Sequence, residues 1–328
     1  MDTFKRPIAG GMLVWIAVLT MTVAIAATDY PVKPIRILVG FAAGGSADII
    51  ARAVGQKLGA AFKESVVIDN RSGAAGIIAT DLAAKANPDG YTLLEATMST
   101  HGIGPNLYKK LPYDVVNDFE AIALMVRIPL VMFIHASVPA ENLKEFIALT
   151  KSGAGAYSYA SAGAGSPPHL VAELLKLKTG AQLLHVPYKG TGAALPDLVA
   201  GRQVHMIVDG PPPFIPYVRS GRLKALAAAS EKRNPLLPDV PTFAELGVAG
   251  MEAGLWYGIV APKGTPKAIV AKLNTEINRA FDQPDLRERF AAMSVEIVGG
   301  EPDVFARYIK SEVKRWGNVV REANIKVE

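Results

Sequence analysis

Five short segments combine glycine with hydroxyl, imidazole or charged side chains at spacings suited to holding a small anion: FAAGGSAD (Phe41 to Asp48), MSTHG (Met98 to Gly102), SAGAGSPPH (Ser161 to His169), YKGTG (Tyr188 to Gly192) and DGPPP (Asp209 to Pro213). Glycine lets backbone approach a ligand closely, and N–H groups and hydroxyls donate to carboxylate oxygens without a formal countercharge. Such a site binds an anion reversibly. Any one segment is equally readable as a tight turn or helix cap; recurrence at five places points to a shared ligand. Lys189 is a further contact candidate. Asp209 would repel a plain carboxylate, and Pro211, Pro212 and Pro213 leave it few N–H groups to cap, so it is expected to face the ligand and accept from an ammonium, a hydroxyl or a protonated second acid.

Covalent and metal chemistry find little support in the same residues. There is no cysteine, which removes disulfides, thiolates and cysteine-ligated zinc. No Walker loop, HExxH or GxSxG occurs, and GTGAAL at Gly190 lacks the third glycine of a dinucleotide fingerprint. His101, His135, His169, His185 and His205 show no helical i, i+4 pairing. Neither a cofactor nor a metal is expected. A hydrolase can be drawn from Ser161, His169 and Asp209, but without a nucleophile elbow.

Positioning these segments is the task of an α/β chain. Short apolar or β-branched runs predict strands at 35–41, 66–70, 91–97, 129–135, 157–162, 183–188, 204–209 and 255–261. Three-and-four spacing predicts helices at 47–62, 143–151, 169–179, 267–282 and 303–323. The segments then fall at the carboxyl ends of strands, where open sheets bind ligands at helix N-termini. The apolar run at 121–126 meets another at 129–135, which reads as a crossing between domains. The last strand is followed only by helices, which must pack on a sheet already formed. This implies a discontinuous first lobe, 28–127 plus 256–328, around an inserted lobe, 128–255, each a mostly parallel sheet flanked by helices.

Lys5 and Arg6 precede an apolar run from Ile8 to Ile25 that ends in Ala24-Ile25-Ala26, the pattern of a secretory signal peptide over residues 1–26 cleaved near Ala26. An exported, periplasmic protein is expected. The full chain of 328 residues carries a formal charge of +5. The basic residues are scattered, with no aromatic-interleaved stripe, so no nucleic-acid partner is expected.

Taken in order, YPVKPIRILVGFAAGGSADIIAR, NRSGAAG, NPDGYTLL, PNLYKKLPYD, SAGAGSPPHL, HVPYKG, LPDVPTFAELG and APKGTP resemble the Bug-type periplasmic solute receptors of tripartite tricarboxylate transporters, from about Tyr30 to Lys326. The resemblance implies a two-lobed, type II periplasmic-binding-protein fold, a Venus flytrap, that captures a small carboxylate between its lobes and delivers it, as a monomer, to integral membrane transporter subunits. It also implies ligand contacts from Phe41, Ala43, Gly44, Gly45, Ser46 and Asp48, with Ser99, Thr100 and His101 beside them. The second lobe would contribute Ser161, Gly163, Gly165, Ser166, His169, Lys189, Gly190, Thr191 and Asp209. Three departures from the family pattern, Pro167-Pro168, Ser72 and Gly210-Pro211-Pro212-Pro213, keep the ligand's identity from being carried over. A sensory protein feeding a membrane kinase shares the fold and is the alternative.

Overall fold

The computed structural model describes residues 30–153 and 155–326; the expected signal peptide and its cleavage site lie outside them. Strands β1 (Ile35–Val39), β2 (Val66–Asn70) and β3 (Thr92–Thr97) are β-branched or apolar runs and pair in parallel in the order β2-β1-β3. Next comes β4 (Phe119–His135), then β5 (Ser158–Ser161), β6 (Leu184–Pro187), β7 (Met206–Asp209), β8 (Leu223–Ala229), β9 (Gly254–Pro262) and the short β10 (Glu296–Ile297). Parallel pairing returns at β7-β5-β6. Between these two parallel groups everything is antiparallel: β9 pairs with β3 and β4, while β7 and β8 pair with the far half of β4.

The runs at 121–126 and 129–135 are thus a single 17-residue strand. Its first part runs beside β9 from Phe119 to Pro129, and its second part beside β8 from Leu130 to His135. Proline has no N–H for a ladder, and Pro129 falls at the handover, so the strand passes from one sheet to the other without a break. Along its second half the side chains alternate: Leu130, Met132 and Ile134 join one apolar cluster, Val131 and Phe133 another.

The helices are α1 (Ser46–Phe62), α2 (Ile77–Ala84), α3 (Gly104–Leu107), α4 (Leu143–Ser152), α5 (Pro167–Thr179), α6 (Thr191–Ala200), α7 (Ile215–Arg219), α8 (Lys267–Phe281), α9 (Pro284–Ala292) and α10 (Pro302–Glu322). Leu273 and Ile277 of α8 share a buried cluster with Ile37 of β1 and Val54 of α1. Phe305, Ile309 and Trp316 of α10 pack with Leu38 and Leu94. The last helices therefore return to the first sheet. Trp256 of β9 is fully buried, and its indole N–H donates to Glu312 of α10 at 2.9 Å.

Candidate functional site

Three loops meet at the carboxyl end of the first parallel group. After β1 the chain turns through Phe41 to Gly45 into α1, whose N-cap, Gly45, supplies no side-chain cap. The N–H groups of this first turn stay free for an anion; Ala43, Gly44, Gly45 and Ser46 are all exposed. The loop after β2 lies against it so closely that a Cβ on Gly40 would stand 2.8 Å from the Cα of Gly76. Ala74 and Ala75 in that loop both hold positive φ, 46° and 53°, a strained conformation for alanine.

Asp48 does not face outward. It is buried, its Oδ2 accepts from the Gly44 N–H (2.9 Å) and from Arg52 Nε (3.0 Å), and Arg52 completes an ion pair with its other oxygen. Hydrogen bonding to Arg52 holds this carboxyl below its usual pKa. Asp48, expected among the ligand contacts, thus has its carboxylate engaged within the loop by Gly44 and Arg52. Thr100 and His101 are likewise engaged locally. A π-helical turn, Met98–Ile103, follows β3; Thr97 and Thr100 cap it reciprocally, and Thr100 Oγ1 lies 3.0 Å from His101 Nδ1. Both side chains are buried, and desolvation lowers the His101 pKa to about 3. Ser99 alone of the three is partly exposed.

In the second group, the loop from Ser161 to Ser166 rests on a stack of rings. His169 and His185 are parallel with centroids 3.9 Å apart, and Tyr159 stacks on His185 at 4.9 Å. His169 Nδ1 accepts from the Gly165 N–H at 2.9 Å, His185 Nε2 lies 2.7 Å from Ser161 Oγ, and Ser161 Oγ accepts from the Gly163 N–H at 3.1 Å. Ser161 is fully buried and His169 nearly so. They carry the loop and present Gly163, Gly165 and Ser166 above it. Ser166 is the N-cap of α5 but its side chain caps nothing, and its buried hydroxyl oxygen has no partner. Pro167 and Pro168, the departure noted above, are the first two residues of α5, where a missing N–H costs no intrahelical bond.

The α6 N-terminus is also without a side-chain cap; its N-cap is Gly190 (φ 101°). Lys189 beside it is exposed, and Thr191 is partly so. Thr191 donates its hydroxyl to Asp209 Oδ2, and the Gly210 N–H donates to Asp209 Oδ1 at 2.7 Å. Asp209 is only 5% exposed, and burial raises its pKa to about 6 despite those two donors. Asp209, expected to face the ligand, is thus buried and bonded to Thr191 in the first turn of α6. With Ser161 on His185 and Asp209 on Thr191, the hydrolase arrangement of Ser161, His169 and Asp209 is not assembled.

Sequence reading missed Tyr257. It is buried on β9, where it pairs with Val126 of β4, at the passage between the two groups of strands. Burial raises its phenol pKa first; Glu95 and Asp209 act in the same direction and a hydrogen bond with Ser46 against it.

The model of the tripartite tricarboxylate transporter family receptor matches residues 50–325. The chain belongs to that family. Protein BugT of Bordetella pertussis is 37% identical over 316 residues, covering 96% of this chain and 97% of BugT. Among solved structures, R. palustris Rpa4515 with adipate superposes with a TM-score of 0.81 at 34% identity, covering 90% of this chain and 99% of that one. MatC (Rpa3494) from Rhodopseudomonas palustris with bound malate gives 0.77 at 36%, covering 89% and 100%. The fold is accordingly the two-lobed periplasmic-binding-protein fold of this family.

Proposed function

We propose that this receptor works in the periplasm, captures a small carboxylate between two lobes and passes it to the integral membrane subunits of a tripartite tricarboxylate transporter. The lobes are those expected above, 28–127 with 256–328 and 128–255, acting as a monomer after removal of residues 1–26. The observation that carries the reading is that α1 and α6 each begin without a side-chain cap at the carboxyl end of a parallel strand, β1 in one group and β6 in the other. Their free N–H groups and positive dipole ends favour an anion. The adipate and malate in the relatives' structures are small carboxylates, the class of anion this reading assigns.

Thermal shift and calorimetry against mono-, di- and tricarboxylates, amino acids and aromatic acids test the reading. A receptor is stabilised by one class in proportion to ligand concentration over Kd. Ligand recovered unchanged by mass balance supports reversible capture; turnover of the ligand, or a flat response to every carboxylate, overturns it. Uptake of the bound acid into membrane vesicles that depends on added receptor tests delivery.

A further inference from the structure

Glu95 is 1% exposed, and neither of its carboxyl oxygens has a hydrogen-bond partner. Antiparallel register sets Glu95 opposite Ile259 and Thr97 opposite Tyr257. Opposed residues share a face, so Glu95 and Tyr257 are neighbours on the face of the first sheet that α1 covers. Leu93, Ile259 and Tyr257 belong to the same buried cluster as Ala47 and Ile50 in the first turns of α1. The charged and titratable groups acting on Glu95 from this surrounding are Asp48 on α1, already paired with Arg52, and Tyr257 on β9. The remaining elements of the cluster bring Val39 from β1, Val126 from β4 and Ile277 from α8.

An ionised carboxylate without a partner is not sustained in such surroundings; the group takes a proton instead. Burial, with the Asp48 charge adding to it, drives the Glu95 pKa well above its ordinary value. The α1 N-terminus is the first-lobe anion site proposed above, and Glu95 lies beneath it. We infer that Glu95 couples anion capture to protonation: the site holds its carboxylate while Glu95 is a neutral acid and weakens when Glu95 ionises. The inference rests on the receptor reading for its ligand. It adds a positioning residue that does not touch the ligand and acts through charge. By linkage, a bound anion raises the proton affinity of Glu95, so binding takes up protons in the range where Glu95 titrates.

The test compares wild type with Glu95→Gln, which is neutral at every pH, using adipate and malate as probes. Calorimetry in buffers of differing ionisation heat should show proton uptake on binding to wild type and none attributable to this site in Glu95→Gln. Wild-type affinity should fall as pH rises through the range in which Glu95 ionises, and more steeply than that of Glu95→Gln, whose remaining slope belongs to Asp209. Without ligand, wild type should lose thermal stability relative to Glu95→Gln over the same rise in pH, because a raised acid pKa favours the fold only while the group stays protonated. Glu95→Leu, which needs no partner, provides a second comparison and should match or exceed wild-type stability at high pH. Equal pH dependence in wild type and Glu95→Gln overturns the linkage while leaving the receptor intact. Destabilisation by both substitutions at high pH shows that ionised Glu95 has partners and also overturns it. Failure of adipate, malate and the rest of the panel to bind wild type at any pH overturns the receptor reading, and the linkage with it.

Discussion

Ser161 Oγ lies 2.7 Å from His185 Nε2, and that imidazole lies flat on the ring of His169 at 3.9 Å. The second-lobe loop therefore stands on two rings that must remain neutral. His169 Nδ1 has to accept from Gly165, and a second charge 3.9 Å from a first is strongly opposed. Burial, then the neighbouring His169, lowers the His185 pKa to about 4, and burial lowers that of His169.

A lowered folded pKa gives stability that is complete above the unfolded value of about 6.5 and is lost as pH falls toward about 4. The expected contribution of His185, which is partly exposed, is on the order of 2 kcal/mol. His185→Asn should flatten this part of the stability profile in chemical denaturation between about pH 7 and pH 4. An unchanged slope would mean that the stack is not held neutral.

Asp209 acts with the opposite sign in the same window. Its pKa is raised to about 6, so its contribution favours the fold below the unfolded value of about 4 and is lost as pH rises through about 6. The two slopes mask one another in wild type. Thr191→Val removes a donor from the ionised form and should destabilise by about 1.5–3 kcal/mol at neutral pH, and by less at acidic pH, where the carboxyl is neutral. Equal losses at both pH values would show that Asp209 carries no charge when folded at neutral pH.

What the sequence makes legible follows from how each element announces itself. Ile35–Val39 and Val66–Asn70 are β-branched, and the three-and-four spacing of Phe305, Ile309 and Trp316 is helical; both patterns survive folding because they are what is buried. Strand β8, LKALAAA, carries no strand signal because alanine has no strand preference, and its place is set by pairing with β4. Pro196 interrupts the helical pattern of α6, and the 121–126 and 129–135 runs meet at a proline that the handover between sheets accommodates. The site loops were legible as glycine and hydroxyl clusters. The inward turn of Asp48, Thr100, His101, Ser161, His169 and Asp209 was not, because it depends on partners from other segments such as Arg52 and His185, or on the winding of a π-helical turn. Glu95 and Tyr257 gave no signal at all, being single polar groups inside apolar strands.

The division between exposed and inward hydroxyls is open to measurement. Ser46 is exposed at the start of α1, while the Ser166 hydroxyl is buried but has no protein partner. Ser46→Ala and Ser166→Ala should each weaken carboxylate binding by roughly 0.5–1.5 kcal/mol, with Tm nearly unchanged. Thr100→Ala breaks the reciprocal cap with Thr97 and should cost about 1 kcal/mol of stability. If Thr100→Ala spares Tm and Ser46→Ala lowers it, the two roles are reversed.

Glu312 binds two indoles at once: Trp256 and Trp316 both donate to its Oε2 at 2.9 Å, and all three side chains are buried. This joins α10 to β9 through a carboxylate whose charge is met by two N–H dipoles, with Arg315 3.9 Å away at its other oxygen. Glu312→Ala leaves both indole N–H groups buried without an acceptor, a penalty of about 1–3 kcal/mol for each unmet group, and opens a cavity besides. The expected loss is about 3–5 kcal/mol in chemical denaturation, with a red shift of tryptophan emission as water reaches the gap. Glu312→Gln keeps an acceptor oxygen and should restore at least half of that loss. Ligand ranking should be the same in both variants, since Glu312 lies outside the loops around Ser46 and Thr191. A Gln variant as unstable as the Ala variant would mean that the charge, rather than the two hydrogen bonds, holds the C-terminal helix in place.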